Sequence, residues 1–191
     1  MLPLIIYYYL EKIRKRISYW VLASFAFFYC GEMISLIAAE DYYFLMLLMY
    51  LIPYLIFTSE LLNEFLNYFK IAKLSMFNLS TLVVGSLLIF LLVSVLRMLN
   101  IENKPEFVLL LIYGLTLLFM CLLSVGLFMF NDSKSNFYCL LTVIVFIVSD
   151  LFYIFNKKID SNNVFLFVNL VTQILSYYFY TKYYLLKAKK R

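Results

Sequence analysis

The chain has 191 residues, of which 65% are hydrophobic, 14% are charged and none is histidine. Soluble domains carry about 25% charged and about 45–50% apolar residues, so a water-soluble fold of this length could not bury the apolar surface, and a disordered chain would be far more polar. Three cysteines exclude a disulfide scaffold, and the missing histidine excludes His-based triads and metal sites, which leaves an integral membrane protein.

Six apolar windows are long enough to cross a bilayer, which takes about 20 mainly apolar residues in a helix. We number them spans one to six: Ile17–Ala38, Tyr42–Ser59, Ser80–Met98, Phe107–Phe130, Phe137–Asn156 and Val164–Leu186. The loops between them are short, which is typical of antiparallel helix hairpins. The sequence therefore predicts an all-α polytopic membrane helix bundle of about six spans, a single transmembrane domain over residues 1–191.

Three segments outside the spans have a character of their own. Residues 1–16 join the apolar Leu2–Leu10, too short to cross a bilayer, to a basic run, and they predict an interfacial segment. Residues 60–79 alternate apolar and charged residues near a helical period, which predicts either an amphipathic interfacial helix or a continuation of span two. Residues 187–191 form a basic tail. Within span two, Pro53 predicts a kink of the helix.

Lysine and arginine are distributed unevenly between the two sides of the predicted bundle. Twelve of them lie in the two termini and in the loops after spans two and four, whereas four lie on the other side. Because cytoplasmic loops carry an excess of basic residues, both termini are predicted to be cytoplasmic. The net charge of +5 then needs no nucleic acid as a partner.

Two acidic residues, Glu32 in span one and Asp150 in span five, fall well inside predicted spans. An intramembrane carboxylate costs at least about 2.5–3.5 kcal/mol, so it needs a partner, a cavity or a proton. Spans one and five run in the same direction and each acid lies six residues before its span ends, which predicts a similar depth for both carboxyls. A hydrogen-bonded packing role for the two acids is the alternative.

Span six carries a stripe of polar residues at helical spacing, which reaches the predicted depth of the two acids. Its members are Asn169, Thr172, Gln173, Ser176 and Tyr180. The sequence predicts a polar cavity between spans one, five and six, lined by Glu32, Asp150, Asn169 and Gln173, with the two carboxyls roughly 5–10 Å apart. Tyr29 shares the helix face of Glu32. Ser149 precedes Asp150, but without a histidine to activate it no serine-hydrolase site is expected.

Four segments occur in the order in which the YhhN family carries similar ones, and the chain resembles that family over about 160 residues. Phe146–Lys158 is similar to its Ser-Asp segment, and Phe27–Leu36 is similar to its Gly-Asp segment, with Glu32 where Asp is usual. Span four, with Tyr113 and Met120, resembles the Tyr…Met helix, and Val171–Tyr178 resembles the closing helix.

The resemblance implies a lysoplasmalogenase, which hydrolyses the vinyl ether of a lysoplasmalogen to a fatty aldehyde and a glycerophospho-headgroup. It implies Glu32 and Asp150 as catalytic carboxyls and Tyr29, Tyr113, Asn169 and Gln173 as substrate-binding residues. No metal or organic cofactor is expected. The expected partners are membrane lipids, including a lysophospholipid substrate, and a membrane-protein partner or a second copy. The expected location is the cytoplasmic (inner) membrane of a bacterium.

The chain also departs from the family pattern. Members of the family have about eight spans, and this sequence matches six of them with a shortened N-terminal part. The histidine expected in the helix that corresponds to span two is absent. These departures keep a second hypothesis open, a non-catalytic structural subunit of an inner-membrane protein complex, and a small proton-coupled transporter is a third.

Overall fold

The computed structural model describes residues 2–13, 18–38, 42–69, 79–99, 103–158 and 162–190. These residues form seven α-helices and no strand, which confirms the predicted all-α fold. The helices are α1 (Leu2–Ile13), α2 (Tyr19–Ala38), α3 (Tyr43–Phe69), α4 (Leu79–Met98), α5 (Lys104–Phe130), α6 (Lys134–Lys158) and α7 (Asn163–Lys190).

Helices α2 to α7 correspond one by one to the six predicted spans. α3 contains Pro53 and continues through Glu60 to Phe69. The first half of residues 60–79 therefore continues span two, one of the two predicted alternatives. α1 has 12 residues and is about 18 Å long, which is too short to cross the ~30 Å hydrocarbon core. Residues 14–17, with most of the predicted basic run, and residues 70–78 lie outside the described residues.

Five helices of the described chain are long and apolar enough to cross a membrane, namely α2, α3, α5, α6 and α7. The apolar stretch of α4 is shorter than those of the other five, and it runs over Val83–Met98. Large apolar side chains also point outward: Phe90 is 70% exposed and Phe167 is 67% exposed. Such faces are unfavourable in water and suit contact with lipid, so the helices form an integral membrane protein.

The contacts divide the chain into two compact units. The first comprises Met1–Ile13 and Ser124–Arg191, and the second comprises Arg14–Leu123, so α5 contributes to both.

In the first unit α6 packs along α7, and α1 packs on α7 as well. Asn136 fixes the entry into α6, because its Nδ2 donates hydrogen bonds to Leu127 O (3.0 Å) and Asn131 O (2.9 Å). Ser133 caps the same helix by accepting a hydrogen bond from the backbone N–H of Asn136. At the start of α7, Asn162 Oδ1 caps the helix by accepting from Val164 N at 2.9 Å.

In the second unit α2 packs against α3. The centre of this unit is an aromatic chain in which Phe28 of α2 lies edge-on to Tyr54 of α3, with ring centroids 5.8 Å apart. Tyr54 lies edge-on to Tyr113 of α5 at 5.5 Å. Edge-to-face pairs of this kind stabilise a packed interior beyond the area they bury. The three rings therefore tie α2, α3 and α5 together.

Candidate functional site

Asp150 lies on α6 among the residues that pack this helix against α7. The buried side chains of α6 recur at helical spacing and include Val143, Phe146 and Ser149, which are at most 4% exposed. Phe146 lies edge-on to Tyr177 and Tyr180 of α7, with ring centroids 6.3 Å apart in each pair. Asp150 itself is half-buried at the margin of this face.

The Ser149 hydroxyl crosses from α6 to α7. Its Oγ donates a hydrogen bond to Asn169 Oδ1 at 3.1 Å and lies 3.4 Å from the Asn169 carbonyl oxygen. Both residues are buried, and Asn169 is 7% exposed. Because Oδ1 accepts from Ser149, the Nδ2 group of Asn169, with its two N–H donors, is turned away from Ser149. An amide held in this way can donate to a water molecule or to a headgroup oxygen.

One turn further along α7, Gln173 makes a second polar contact. Its Nε2 donates a hydrogen bond to the hydroxyl of Tyr177 at 3.2 Å. Thr172 and Ser176 bond instead to backbone carbonyls of their own helix, which satisfies the hydroxyls locally. Four of the five members of the predicted stripe on span six therefore fall into two kinds. Asn169 and Gln173 form hydrogen bonds with other side chains, whereas Thr172 and Ser176 form hydrogen bonds only with the backbone of α7.

Glu32 lies on α2 where that helix approaches α3 closely. Gly31 precedes it, and a Cβ added to Gly31 would lie 3.1 Å from Tyr50 Cζ. The absence of a side chain at Gly31 therefore lets the Tyr50 ring lie against α2. Glu32 is half-buried, and Tyr29 of the same helix is 38% exposed.

Tyr113, the third predicted site residue in the second unit, is 4% exposed and packs on Tyr54. The structure thus places Glu32, Tyr29 and Tyr113 in the second unit, and Asp150, Asn169 and Gln173 in the first. Within the first unit it brings the Ser-Asp segment of α6 and the polar stripe of α7 together. The cavity that would hold both carboxyls stays a prediction.

Two contacts of the site involve residues for which the sequence had predicted no functional role. In the sequence Ser149 lacks a histidine that could activate it, and Tyr177 is marked only as part of the Val171–Tyr178 segment. Two signals were present in the sequence: Ser149 is adjacent to Asp150, and Tyr177 lies four residues after Gln173, one helical turn away. In the described part of the chain no group of three or more Cys, Asp and Glu side chains is placed to hold a metal ion.

The model of the YhhN family matches residues 1–188 of the chain. Searches of curated proteins and of solved structures return no match. The family match includes all four segments on which the resemblance was based, and it covers α1 to α6 and nearly all of α7.

Proposed function

The chain belongs to the YhhN family, and we propose that it is a hydrolase of the bacterial cytoplasmic membrane that cleaves the vinyl ether bond of lysoplasmalogens. The observation that carries the proposal is the hydrogen bond from Ser149 to Asn169. It joins the segment that contains Asp150, which resembles the family's Ser-Asp segment, to the amide stripe of α7 at a residue just before Val171–Tyr178, which resembles the closing helix. An apolar helix hairpin has no need of this buried polar contact for hydrophobic packing alone.

Vinyl ether cleavage suits carboxyl groups without histidine. Protonation of the β carbon gives an oxocarbenium ion, water adds to the α carbon and loses its proton, and the resulting hemiacetal collapses to a fatty aldehyde and the headgroup alcohol. One water is consumed and the proton is returned to the site. This sequence needs a proton donor and a negative charge near the cation, the division of roles that paired carboxyls supply in glycoside hydrolysis.

We assign these roles to Asp150 and Glu32 without deciding which acid donates the proton. The assignment of Asp150 is supported by its half-buried position beside the Ser149–Asn169 contact. The assignment of Glu32 rests on the sequence resemblance. Asn169 and Gln173 would orient the attacking water or a headgroup oxygen, because amide N–H groups donate to both.

The proposal is tested by aldehyde release from a lysoplasmalogen by the purified protein in detergent. Asp150→Asn keeps the size of the side chain but can neither donate a carboxyl proton nor carry a negative charge. We expect the rate to fall at least ~10²–10⁴-fold, the usual contribution of general acid–base catalysis. Asp132→Asn is the matched control, since Asp132 is an exposed residue between α5 and α6, and this variant should keep the wild-type rate.

Two results would overturn the proposal. An Asp150→Asn variant as active as the wild type would leave the reaction without its acid. A folded wild-type protein that is inactive on every lysophospholipid tested would instead favour the structural-subunit hypothesis, in which Asp150 and Glu32 serve as hydrogen-bonding residues between helices. Co-purification of a stable membrane-protein partner after mild detergent extraction would then be expected.

A further inference from the structure

Lys182 of α7 is held between two tyrosine rings. Its Nζ donates a hydrogen bond to the hydroxyl of Tyr8 on α1 at 3.0 Å. It also lies 5.4 Å from the ring centroid of Tyr8 and 5.3 Å from that of Tyr178. Both distances are within the range of cation–π contacts. The ammonium is thereby fixed at the junction of α1 and α7.

The positive charge of Lys182 has no carboxylate partner among the described residues. α7 contains no acidic residue, and Glu11 of α1 is exposed and makes no ion pair with Lys182. The neighbouring charges on the same end of the chain are positive, because Lys187, Lys189, Lys190 and Arg191 follow. An ammonium has three N–H donors, and the hydroxyl of Tyr8 takes one of them.

The surroundings place this ammonium at the level of lipid headgroups. α1 is too short to span, its Leu2 and Tyr9 are fully buried, and its Leu4 (67% exposed) and Tyr7 (66% exposed) point outward. A short helix with an outward face of Leu and Tyr suits the membrane interface, where tyrosine is enriched. Lys182 lies where this helix meets a spanning one.

We propose that Lys182, with Tyr8 and Tyr178, forms a binding site for the phosphate group of an anionic phospholipid. The remaining N–H donors of the ammonium bind phosphate oxygens, and the exposed apolar face of α1 contacts the acyl chains. The two tyrosines hold the lysine in place, so the site is built before the lipid arrives. The predicted cytoplasmic position of this end of α7 agrees, since cytoplasmic leaflets carry anionic lipids.

This lipid is distinct from the proposed substrate. Asn169 and Lys182 are thirteen residues apart on one helix, which is an axial distance of about 20 Å. The vinyl ether and the phosphate of a lysoplasmalogen are carried by the two terminal carbons of one glycerol unit, so only a few bonds separate them. A lipid whose phosphate lies at Lys182 therefore cannot present that bond to Asp150 and Asn169, and the site is independent of the hydrolysis.

The test is native mass spectrometry of the full chain in detergent, titrated with phosphatidylglycerol and, separately, with phosphatidylcholine. We expect the first phosphatidylglycerol to bind more tightly than phosphatidylcholine, and Lys182→Gln to weaken it by at least about fivefold, the equivalent of one basic residue at a membrane surface. Lys189→Gln removes an equal charge from an exposed position and should leave the affinity unchanged. Lys182→Arg keeps the charge and the donors and should restore binding.

Three results would overturn the proposal. Equal weakening by Lys182→Gln and Lys189→Gln would mean that only the overall charge of the tail attracts lipid. Equal affinity for both lipids would remove the role of the anionic headgroup. Displacement of phosphatidylglycerol by inorganic phosphate would assign the site to a free anion, whereas retention of the lipid in excess phosphate supports the lipid assignment.

Discussion

Ser149 on α6 and Asn169 on α7 are joined by a buried side-chain hydrogen bond of 3.1 Å. Several hydroxyls of the described residues bond to a carbonyl of their own helix, as Ser24 does to Trp20 O at 2.9 Å. The Ser149 bond differs because it runs between two helices, so it fixes their register as well as the orientation of the Asn169 amide. This contact connects the packing of the hairpin to Asp150, the next residue, for which we propose a catalytic role.

Replacing Ser149 by Ala should lower both stability and activity. The interhelical hydrogen bond is lost, at a cost of about 0.5–1.5 kcal/mol, since such bonds are worth little more inside a membrane than in water. The Asn169 amide also loses its orientation, and we expect aldehyde release to fall about tenfold, the equivalent of 1.4 kcal/mol in the transition state. Thermal unfolding in detergent and the rate of aldehyde release measure the two effects.

Ser24→Ala is the control for this variant. Ser24 is fully buried like Ser149, but its hydroxyl bonds only within α2. Its replacement should therefore leave aldehyde release unchanged. If Ser149→Ala and Ser24→Ala behave alike in both measurements, the Ser149–Asn169 contact has no role in positioning the site.

The sequence was sufficient to predict the helices, and the reason is physical. A membrane helix satisfies its own backbone hydrogen bonds and needs an apolar run of fixed length, so composition alone marks each span. The bounds of α5 and α7 agree with the predicted spans to within a few residues. The exact end of α3 was not predictable, because Glu60–Phe69 has a period that suits both an interfacial helix and a continued one.

The contacts of the site were less predictable than its residues. The polar stripe of α7 was visible in the sequence, but periodicity does not reveal which members bond across helices and which bond within one. Ser149 and Thr172 are both hydroxyl residues inside spans, yet only Ser149 reaches a neighbouring helix. Partner choice depends on the rotation and register of two helices, and these are set by packing of rings such as Phe146 on Tyr177.

Glu32→Asp restores the residue that is usual in the resembled family, and it should retain or raise aldehyde release. The side chain becomes shorter by one methylene but keeps its carboxyl. Glu32→Gln removes the charge and the acid at constant size, so the rate should fall at least ~10²-fold. Glu11→Gln, at an exposed position of α1, should keep the wild-type rate. Full activity of Glu32→Gln would remove Glu32 from the catalytic pair.

Variants at two glycines should separate helix propensity from helix packing. Gly85→Ala places a Cβ 3.5 Å from Leu122 Cδ2, an ordinary contact, and should stabilise α4 by up to about 1 kcal/mol through helix propensity. Gly31→Ala gains the same propensity, but its Cβ lies 3.1 Å from Tyr50 Cζ, so the ring must move and the gain is reduced or lost. Gly31→Leu should disrupt the contact of α2 with α3. Thermal unfolding midpoints in detergent would test this order, and equal midpoints for the two Ala variants would contradict it.

The sidedness of the chain depends on whether α4 crosses the membrane. With α4 as a sixth span, both basic termini face the cytoplasm, whereas five spans would put them on opposite sides against the basic asymmetry. Reporter fusions at Asp41 and Arg191 should therefore report opposite compartments, and a fusion at Asn103 should agree with Asp41. If α4 does not cross, Asp41 and Arg191 report the same compartment and Asn103 the other. α4 has 20 residues, about 30 Å of helix, which is sufficient to cross the hydrocarbon core, so we expect the six-span result.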